Sequence, residues 1–407
     1  MQKKLIAVAI AGALGTPAAV LAQTSTVNIY GNITFEYGLG DQGAGKKDVD
    51  YADTPGGSAI GFRGEEKLGG GLSAWFQCES SADVRGIDQT GFCTRNSAVG
   101  FRGAWGNLHF GRWDTPFKRA LNVGTVGAEE TGLMGMSFLP FGGSGGADAT
   151  GTGPDSVNRQ RWKRREVGLS YYETPVFGGF QGLFAFSPGN HAADGSDARA
   201  ALFADPSLDI STNSKPRVIS LSGTYMAGPL GIGIGYEVHQ RFGAYSPASC
   251  CGSADDRAWG ISATYTFAGR VKVGATYLDA KYETGAGLPP GAIFDLKKKT
   301  ATIGVEWNIA GPHELHAQYA WADDSKGNSP VGIGGNGGAE ASGGGTGGQA
   351  WTIGYRYNFS KRTWVKVAYV MVDNDGNSNS YRIGNTSSLL FNGEKVDSLA
   401  FRIGHRF

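Results

Sequence analysis

Apolar and polar residues alternate with a period of two along most of this chain, and the helical period of 3.6 is almost absent. The clearest stretches cover residues 27–37, 259–267, 301–309, 315–321 and 351–357. Successive side chains of a strand point to opposite faces of its sheet, so each stretch has one apolar and one polar face. The pattern therefore predicts a chain made of many amphipathic strands.

The connections between these stretches favour a membrane barrel over a soluble sandwich. Very short links, such as Trp105-Gly106 and Ala268-Gly269, alternate strictly with long ones along the whole chain. All long loops then fall at one end of the sheet and both chain ends at the other, as in bacterial outer-membrane barrels with tight periplasmic turns. We predict an all-β fold, a transmembrane antiparallel β-barrel of about 16 strands with long external loops.

The first residues predict a cleaved secretory signal peptide. A basic start at Lys3 and Lys4 precedes an apolar run, and Val20-Leu21-Ala22 is a small-x-small cleavage site. After Ala22 no stretch approaches the ~18 consecutive apolar residues of a transmembrane helix. The predicted organisation is a signal peptide over residues 1–22 and a single barrel over residues 23–407.

Composition supports strands and turns rather than helices. Glycine supplies 67 of the 407 residues, and each glycine in a helix interior costs about 1 kcal/mol. Loss of Lys3 and Lys4 with the signal peptide changes the formal charge from +1 to −1. A charge this close to zero gives no indication of a nucleic-acid partner.

Four stretches, in this order along the chain, form a recognisable set. They are Val27-Asn-Ile-Tyr-Gly31, Gly61-Phe-Arg-Gly-Glu-Glu-Lys-Leu-Gly69, the segment from Val99 to Phe117, and an alternating closing strand that ends on Phe407. The set resembles the general trimeric porins of Gram-negative β-proteobacteria, over essentially the whole mature chain.

This resemblance implies a water-filled channel for passive diffusion of small hydrophilic solutes and ions, located in the outer membrane. It also implies a homotrimer, with the outward faces of the first and last strands as interface, and a constriction formed by the third loop. Further expected partners are outer-membrane lipid, lipopolysaccharide and the barrel-assembly machinery, the last through Phe407.

The longest connection, residues 114–162, mixes acidic and apolar residues. Asp114, Glu129 and Glu130 accompany apolar side chains such as Met134. Extended loops of this length are uncommon unless they are functional. We expect this loop to fold into the lumen with its carboxylates toward the pore; the alternative is an external loop packed on its neighbours.

Alternation along the strands places basic residues opposite this loop. Arg63, Arg102 and Arg164 are expected to point into the lumen, where the resembled family has a basic cluster, and Lys118 is a further candidate. Arginine clusters favour anions, so a mild anion preference is expected. In the alternative interpretation these arginines only pair with nearby carboxylates.

The assignment of Arg164 depends on the strand that follows it. If Leu169 and Tyr171 face lipid, Arg164 points into the lumen; a shift of one residue would put Arg165 in its place.

Cysteines bracket the second long loop. Cys78 and Cys93 lie where a hairpin brings the two loop ends together, and export permits a disulfide, which we expect here rather than buried thiols. Adjacent Cys250 and Cys251 are badly placed to bridge each other, and their state stays open.

Nothing in the sequence predicts catalysis, a metal or a cofactor. His109 near Asp114 is the only catalytic-looking pair, and no nucleophile accompanies it. The alternatives to a porin are an outer-membrane barrel enzyme and a surface adhesin that acts through its long loops.

Overall fold

A computed structural model gives the architecture of the chain. The described residues are 26–40, 49–54, 57–86, 91–127, 134–135, 162–163, 165–188, 217–240, 255–284, 294–328, 344–378, 381, 383 and 392–407. Outside them lie the predicted signal peptide, Glu129, Glu130, Arg164, Cys250 and Cys251.

Strands make up most of the described chain, as the alternating pattern predicts. They are β1 (Thr26–Gly40), β2 (Val49–Asp53), β3 (Ala59–Gly69), β4 (Leu72–Ser81), β5 (Ser97–Gly103), β6 (Gly106–Asp114), β7 (Arg165–Glu173), β8 (Phe180–Ser187), β9 (Arg217–Ala227), β10 (Leu230–Gln240), β11 (Asp256–Phe267), β12 (Val271–Thr284), β13 (Phe294–Ala310), β14 (His313–Ala322), β15 (Lys326–Gly327), β16 (Gly348–Asn358), β17 (Thr363–Asn374) and β18 (Lys395–Arg406). One short helix, α1 (Pro116–Asn122), joins them. No helix in the described ranges is long and apolar enough to cross a membrane.

These strands form one closed antiparallel barrel. Two of the 18 strands only extend their neighbours: β2 pairs with the upper part of β1, beside β3, and β15 pairs with β13, beside β14. The other 16 surround the lumen, and β1 pairs with β18 to close the ring. Closure leaves no free sheet edge, which is a requirement for a sheet in lipid. The predicted fold class is confirmed.

The barrel closes where the first strand, β1, meets the end of the last strand, β18. Gly31 and Phe407 exchange two backbone hydrogen bonds of 3.1 Å. A side chain at position 31 would overlap the Phe407 ring, so the absence of a Cβ at Gly31 makes room for that ring.

Connections differ at the two ends of the barrel. Short turns such as Gly311-Pro312 join strands at one end, and the long connections lie at the other. The second long connection starts and ends at a disulfide between Cys78 and Cys93, whose Cα atoms are 4.8 Å apart.

The barrel surface is apolar outside and polar inside. Ile234, Ile303 and Ile353 are each more than 50% exposed on the outer face, whereas Thr302 and Thr352, on the inner face, are buried. This inversion of the usual burial pattern suits a lipid-facing exterior and a water-facing lumen.

One strand departs from the predicted alternation. Leu169 and Tyr171 on β7, which we expected to face lipid, are 1% and 0% exposed. Gly168 has a φ of 62°, and the pairing of β6 with β7 shifts between Gly111 and Trp113. A bulge of this kind changes the face to which the following side chains point. The outward assignment of these two residues was therefore wrong.

Candidate functional site

The connection from β6 to β7 enters the barrel instead of covering it. Its first residues form α1, because Thr115 caps the helix by accepting a hydrogen bond from the Lys118 N–H at 3.3 Å and Pro116 suits the first helical position. Phe117 and Leu121 are fully buried against the wall of the lumen, in a cluster that includes Ala258 on β11.

Side chains of the wall hold this segment by its backbone. The Ala120 carbonyl accepts a hydrogen bond of 2.6 Å from the Ser262 hydroxyl on β11. The Leu121 carbonyl accepts one of 3.3 Å from Thr276 on β12, and the Gln318 amide on β14 donates to the Val126 carbonyl at 3.3 Å. The Ala120 and Leu121 carbonyls also accept backbone hydrogen bonds of 3.2 and 3.1 Å from the N–H groups of Val123 and Gly124, so the wall contacts add to the bonds that end the helix. The loop therefore follows the inner wall across several strands.

Glycines along the wall let the loop backbone approach closely. A Cβ at Gly233 would overlap the Ala120 carbonyl oxygen, and one at Gly304 would overlap the Val126 carbonyl oxygen. This row of glycines gives the loop a close-fitting track on β10 to β13.

We expect Gly304→Ala to loosen the loop, because the added methyl group meets backbone that cannot rotate away. Overpacking of this kind costs about 1–3 kcal/mol. Thermal unfolding and single-channel recording check this: the unfolding midpoint should fall and the current noise should rise. Gly182→Ala on β8 is the matched control, since the nearest atom to its new Cβ would be 3.4 Å away, an ordinary contact. Equal unfolding midpoints and equal current noise in the two variants would contradict the role of these glycines in seating the loop.

Asp114 connects the start of the β6–β7 connection to its end, where β7 begins. Its carboxylate accepts a hydrogen bond of 2.6 Å from the Lys118 ammonium and lies 3.3 Å from Arg165 Nε. The Asn96 amide donates to the same carboxylate at 3.0 Å, and the Asn96 carbonyl oxygen accepts the Asp114 N–H at 3.1 Å. Lys118 is only 6% exposed. We call these four residues the Asp114 clasp.

A recess of about 700 Å³ opens beside the clasp, between α1 and the inner faces of β3 to β7. Arg63 and Arg102, predicted from alternation to face the lumen, both line it. Arg119 from α1 lines it as well, with the carboxylates of Glu65 and Glu173. The recess thus brings three guanidinium groups together.

Each guanidinium group lies over an aromatic ring. The Arg63 group is 5.0 Å from the centre of the Tyr30 ring, and the Arg102 group is 5.1 Å from that of Trp75. Arg102 also lies 3.4 Å from Glu65, in a pair whose side chains are 46% and 42% exposed. Exposed ion pairs of this kind contribute little to the stability of the fold. Stacking on a ring fixes a guanidinium group without neutralising its charge.

Arg119 is held more firmly than the other two. It pairs with Glu173, donates a hydrogen bond of 3.3 Å to the Tyr171 hydroxyl and lies 5.9 Å from the centre of that ring. Arg119 was not among the predicted site residues, because residues 114–162 were predicted to be a loop without a helix. Thr115-Pro116, ahead of the apolar Phe117, was an available helix-start signal.

His109 has a packing role in this arrangement. Its ring stacks on Tyr171 at 4.6 Å and contacts the rings of Trp75 and Trp113 at 5.2 and 5.0 Å. The side chain is 1% exposed. A histidine enclosed by rings in this way supports the wall of the recess, and its surroundings do not favour proton transfer to a solute.

A family model described as Gram-negative porin matches residues 7–377 of the chain. The chain belongs to the Gram-negative porins. An outer membrane porin protein of Bordetella pertussis is 27% identical over 400 residues, which cover 89% of this porin and 92% of the relative. Outer membrane porin protein 32 of Delftia acidovorans is 27% identical over 379 residues, with 89% and 87% covered.

Solved structures of porins share the fold. An anion-selective porin from Comamonas acidovorans superposes with a TM-score of 0.66 at 22% identity, covering 94% of this porin and all of that chain. OmpT of Vibrio cholerae in its trimer form gives 0.61 at 14% identity, covering 95% and 100%.

Membership of this family confirms the predicted function and location. This porin is an outer-membrane channel for passive diffusion in a Gram-negative bacterium, and porins are not enzymes. The family gives no support to the barrel-enzyme and adhesin alternatives.

Proposed function

We propose that this porin prefers anions and that Arg63, Arg102 and Arg119 set the preference. The observation that carries the proposal is the stacking of all three guanidinium groups on aromatic rings inside one recess. Arginine stays charged at any physiological pH, and low-dielectric walls strengthen its field in a narrow passage.

Charges around the recess support the same sign. Within the described residues, the lining and its direct ion-pair partners contribute five cations, namely Arg63, Arg102, Lys118, Arg119 and Arg165. Three carboxylates oppose them, Glu65, Asp114 and Glu173, which leaves an excess of two positive charges. Basic clusters in a constriction favour anions. The anion-selective porin of Comamonas acidovorans, similar in fold, is consistent with this sign.

The other predicted constriction residues have supporting roles in this proposal. Lys118 and Asp114 act through the Asp114 clasp, which positions α1 and hence Arg119. Glu129 and Glu130 stay predicted carboxylates of the same loop. Arg164 stays a predicted member of the basic cluster, next to Arg165 in the clasp.

We further propose a homotrimer that uses the outward faces of β1 and β18. Val27, Ile29 and Leu399 on these strands are 58%, 61% and 51% exposed, and OmpT of Vibrio cholerae, similar in fold, is a trimer. Small hydrophilic solutes would pass inside the barrel. Outer-membrane lipid and lipopolysaccharide would surround it, and the barrel-assembly machinery would receive the strand ending at Phe407.

Planar bilayers test the anion preference directly. We expect stepwise conductance, and in asymmetric KCl a reversal potential with the sign of chloride permeation. A clear cation sign would overturn the anion preference and leave the channel intact. A bilayer without conductance steps would contradict the channel itself.

A further inference from the structure

Tyr30 on β1 reaches across β3 to a carboxylate on β4. In the barrel wall Tyr30 lies directly opposite Gly61, and Gly61 lies directly opposite Glu79. A Cβ at Gly61 would overlap the Tyr30 ring, so the ring crosses β3 at a residue without a side chain. Its hydroxyl donates a hydrogen bond of 3.1 Å to the Glu79 carboxylate. The tyrosine therefore connects three neighbouring strands.

The Tyr30 ring lies on the luminal side of the wall and supports Arg63. Ile29, the neighbour of Tyr30 along β1, is 61% exposed on the outer face, so Tyr30 points inward. Arg63 follows Gly61 by two residues on β3 and shares its face. Its guanidinium group is 5.0 Å from the centre of the Tyr30 ring. The position of this charge in the recess thus depends on how the ring is held.

Glu79 is itself held firmly. Its other carboxylate oxygen accepts a hydrogen bond of 2.7 Å from Arg95 Nε, and these two side chains are only 16% and 14% exposed. Its backbone N–H donates to the Ser97 hydroxyl at 2.9 Å, and its carbonyl oxygen accepts the Arg95 N–H at 2.8 Å. The disulfide between Cys78 and Cys93 joins the same two segments of chain. Glu79 therefore gives the tyrosine hydroxyl a fixed partner.

The negative charge of Glu79 would by itself oppose a preference for anions, because carboxylates near an ion path favour cations. Glu79 is not among the described residues that line the recess, and Arg95 offsets its charge. Its influence on the recess is therefore the position that it imposes on the Tyr30 ring, and through that ring on the Arg63 guanidinium group.

We propose that Glu79 is a positioning residue for selectivity, an acidic side chain that strengthens a preference for anions by holding Tyr30 and thereby Arg63. This inference rests on the proposed function, in which Arg63 attracts anions. A guanidinium group without a fixed ring spreads over many rotamers, since arginine has a long, flexible side chain. If its mean distance from a passing anion increases from ~8 to ~12 Å, the chloride-to-potassium permeability ratio falls about threefold at an effective dielectric constant near 20.

Two variants of equal charge test the role of Glu79. Glu79→Ala and Glu79→Gln both remove the carboxylate, but only glutamine keeps an oxygen that can accept the Tyr30 hydroxyl. Reversal potentials of the full-length porin in planar bilayers with asymmetric KCl give the permeability ratio. We expect this ratio to be about threefold lower in Glu79→Ala than in Glu79→Gln. Equal ratios, or a higher ratio in Glu79→Ala, would overturn the proposal, because the loss of charge is common to both variants.

A second pair of variants leaves every charge in place. Tyr30→Phe keeps the ring and removes only the hydroxyl that reaches Glu79. Tyr319→Phe is the matched control, since it removes a hydroxyl that donates to Gln349 at 2.7 Å on the outer face of the barrel. We expect the permeability ratio to fall in Tyr30→Phe and to stay at the wild-type value in the control. An unchanged ratio in Tyr30→Phe, or an equal decrease in Tyr319→Phe, would overturn the proposal.

Arg63→Gln separates this inference from the proposed function. We expect it to lower the permeability ratio at least as far as Tyr30→Phe does, and the double variant to lower it no further, because the ring acts through this one side chain. A lower ratio in Arg63→Gln with a wild-type ratio in Tyr30→Phe would overturn the positioning role alone. An unchanged ratio in Arg63→Gln would overturn both the positioning role and the proposed function of Arg63.

Discussion

Replacing Arg63 and Arg102 together by glutamate will change the channel from anion preference to cation preference. The described charge around the recess changes from an excess of two positive to an excess of two negative charges. A unit charge ~8 Å from a permeating ion contributes about 2 kcal/mol at an effective dielectric constant near 20, so four units of change exceed any residual bias. The reversal potential in asymmetric KCl should change sign.

Salt concentration provides an internal check on this result. The Debye length is about 10 Å at 0.1 M and about 3 Å at 1 M, so the shift should be larger in dilute salt. Lys361→Glu/Arg362→Glu, in a turn outside the recess, makes the same charge change and should leave the sign unaltered. Retention of anion preference by Arg63→Glu/Arg102→Glu would contradict the role of these arginines.

Asp114→Ala is expected to be the most destabilising single change at the site. It removes the carboxylate from Lys118, which is 6% exposed, and from Arg165 at 3.3 Å. Breaking a buried ion pair from one side costs about 3–5 kcal/mol, because a charge stays buried without its partner. The loop should open before the barrel unfolds, since loops open locally at lower free energy than cores. Single-channel conductance should rise and the thermal midpoint should fall.

Two companion variants identify the cause. Asp114→Ala/Lys118→Met removes both charges and should recover most of the lost stability. Glu65→Ala breaks the pair with Arg102 at 3.4 Å, whose side chains are 42% and 46% exposed in the lumen, and should cost less than about 1 kcal/mol of stability. A loss of stability in Glu65→Ala as large as that in Asp114→Ala would show that the clasp has no special role.

Regular strands made most of the fold predictable from sequence. Period-two alternation and the order of short and long connections both follow from backbone geometry. Regular strands such as β10 and β11 keep the alternation along their whole length. The prediction failed at β7, where Gly168 at a φ of 62° reverses the alternation ahead of Leu169. Apolar residues on either face look alike in sequence, so the pattern could not reveal this bulge.

Site residues were likewise predictable on regular strands and not predictable elsewhere. Arg63 and Arg102 lie on regular parts of their strands, and alternation placed both correctly at the recess. Arg119 was missed because its position depends on α1 and on tertiary contacts with Tyr171 and Glu173. Contacts that join residues 52 and 54 positions apart leave no periodic trace in a sequence.

The segment that follows β6 is anchored to the barrel wall through its backbone, so its anchoring does not depend on the side chains that it presents to the lumen. Ser262, Thr276 and Gln318 hold carbonyl groups, which every amino acid possesses. Side chains on the opposite side of that segment are consequently free to diverge during evolution, or to be redesigned, without detaching it. A library randomised at such positions would explore new permeation properties on an unchanged scaffold.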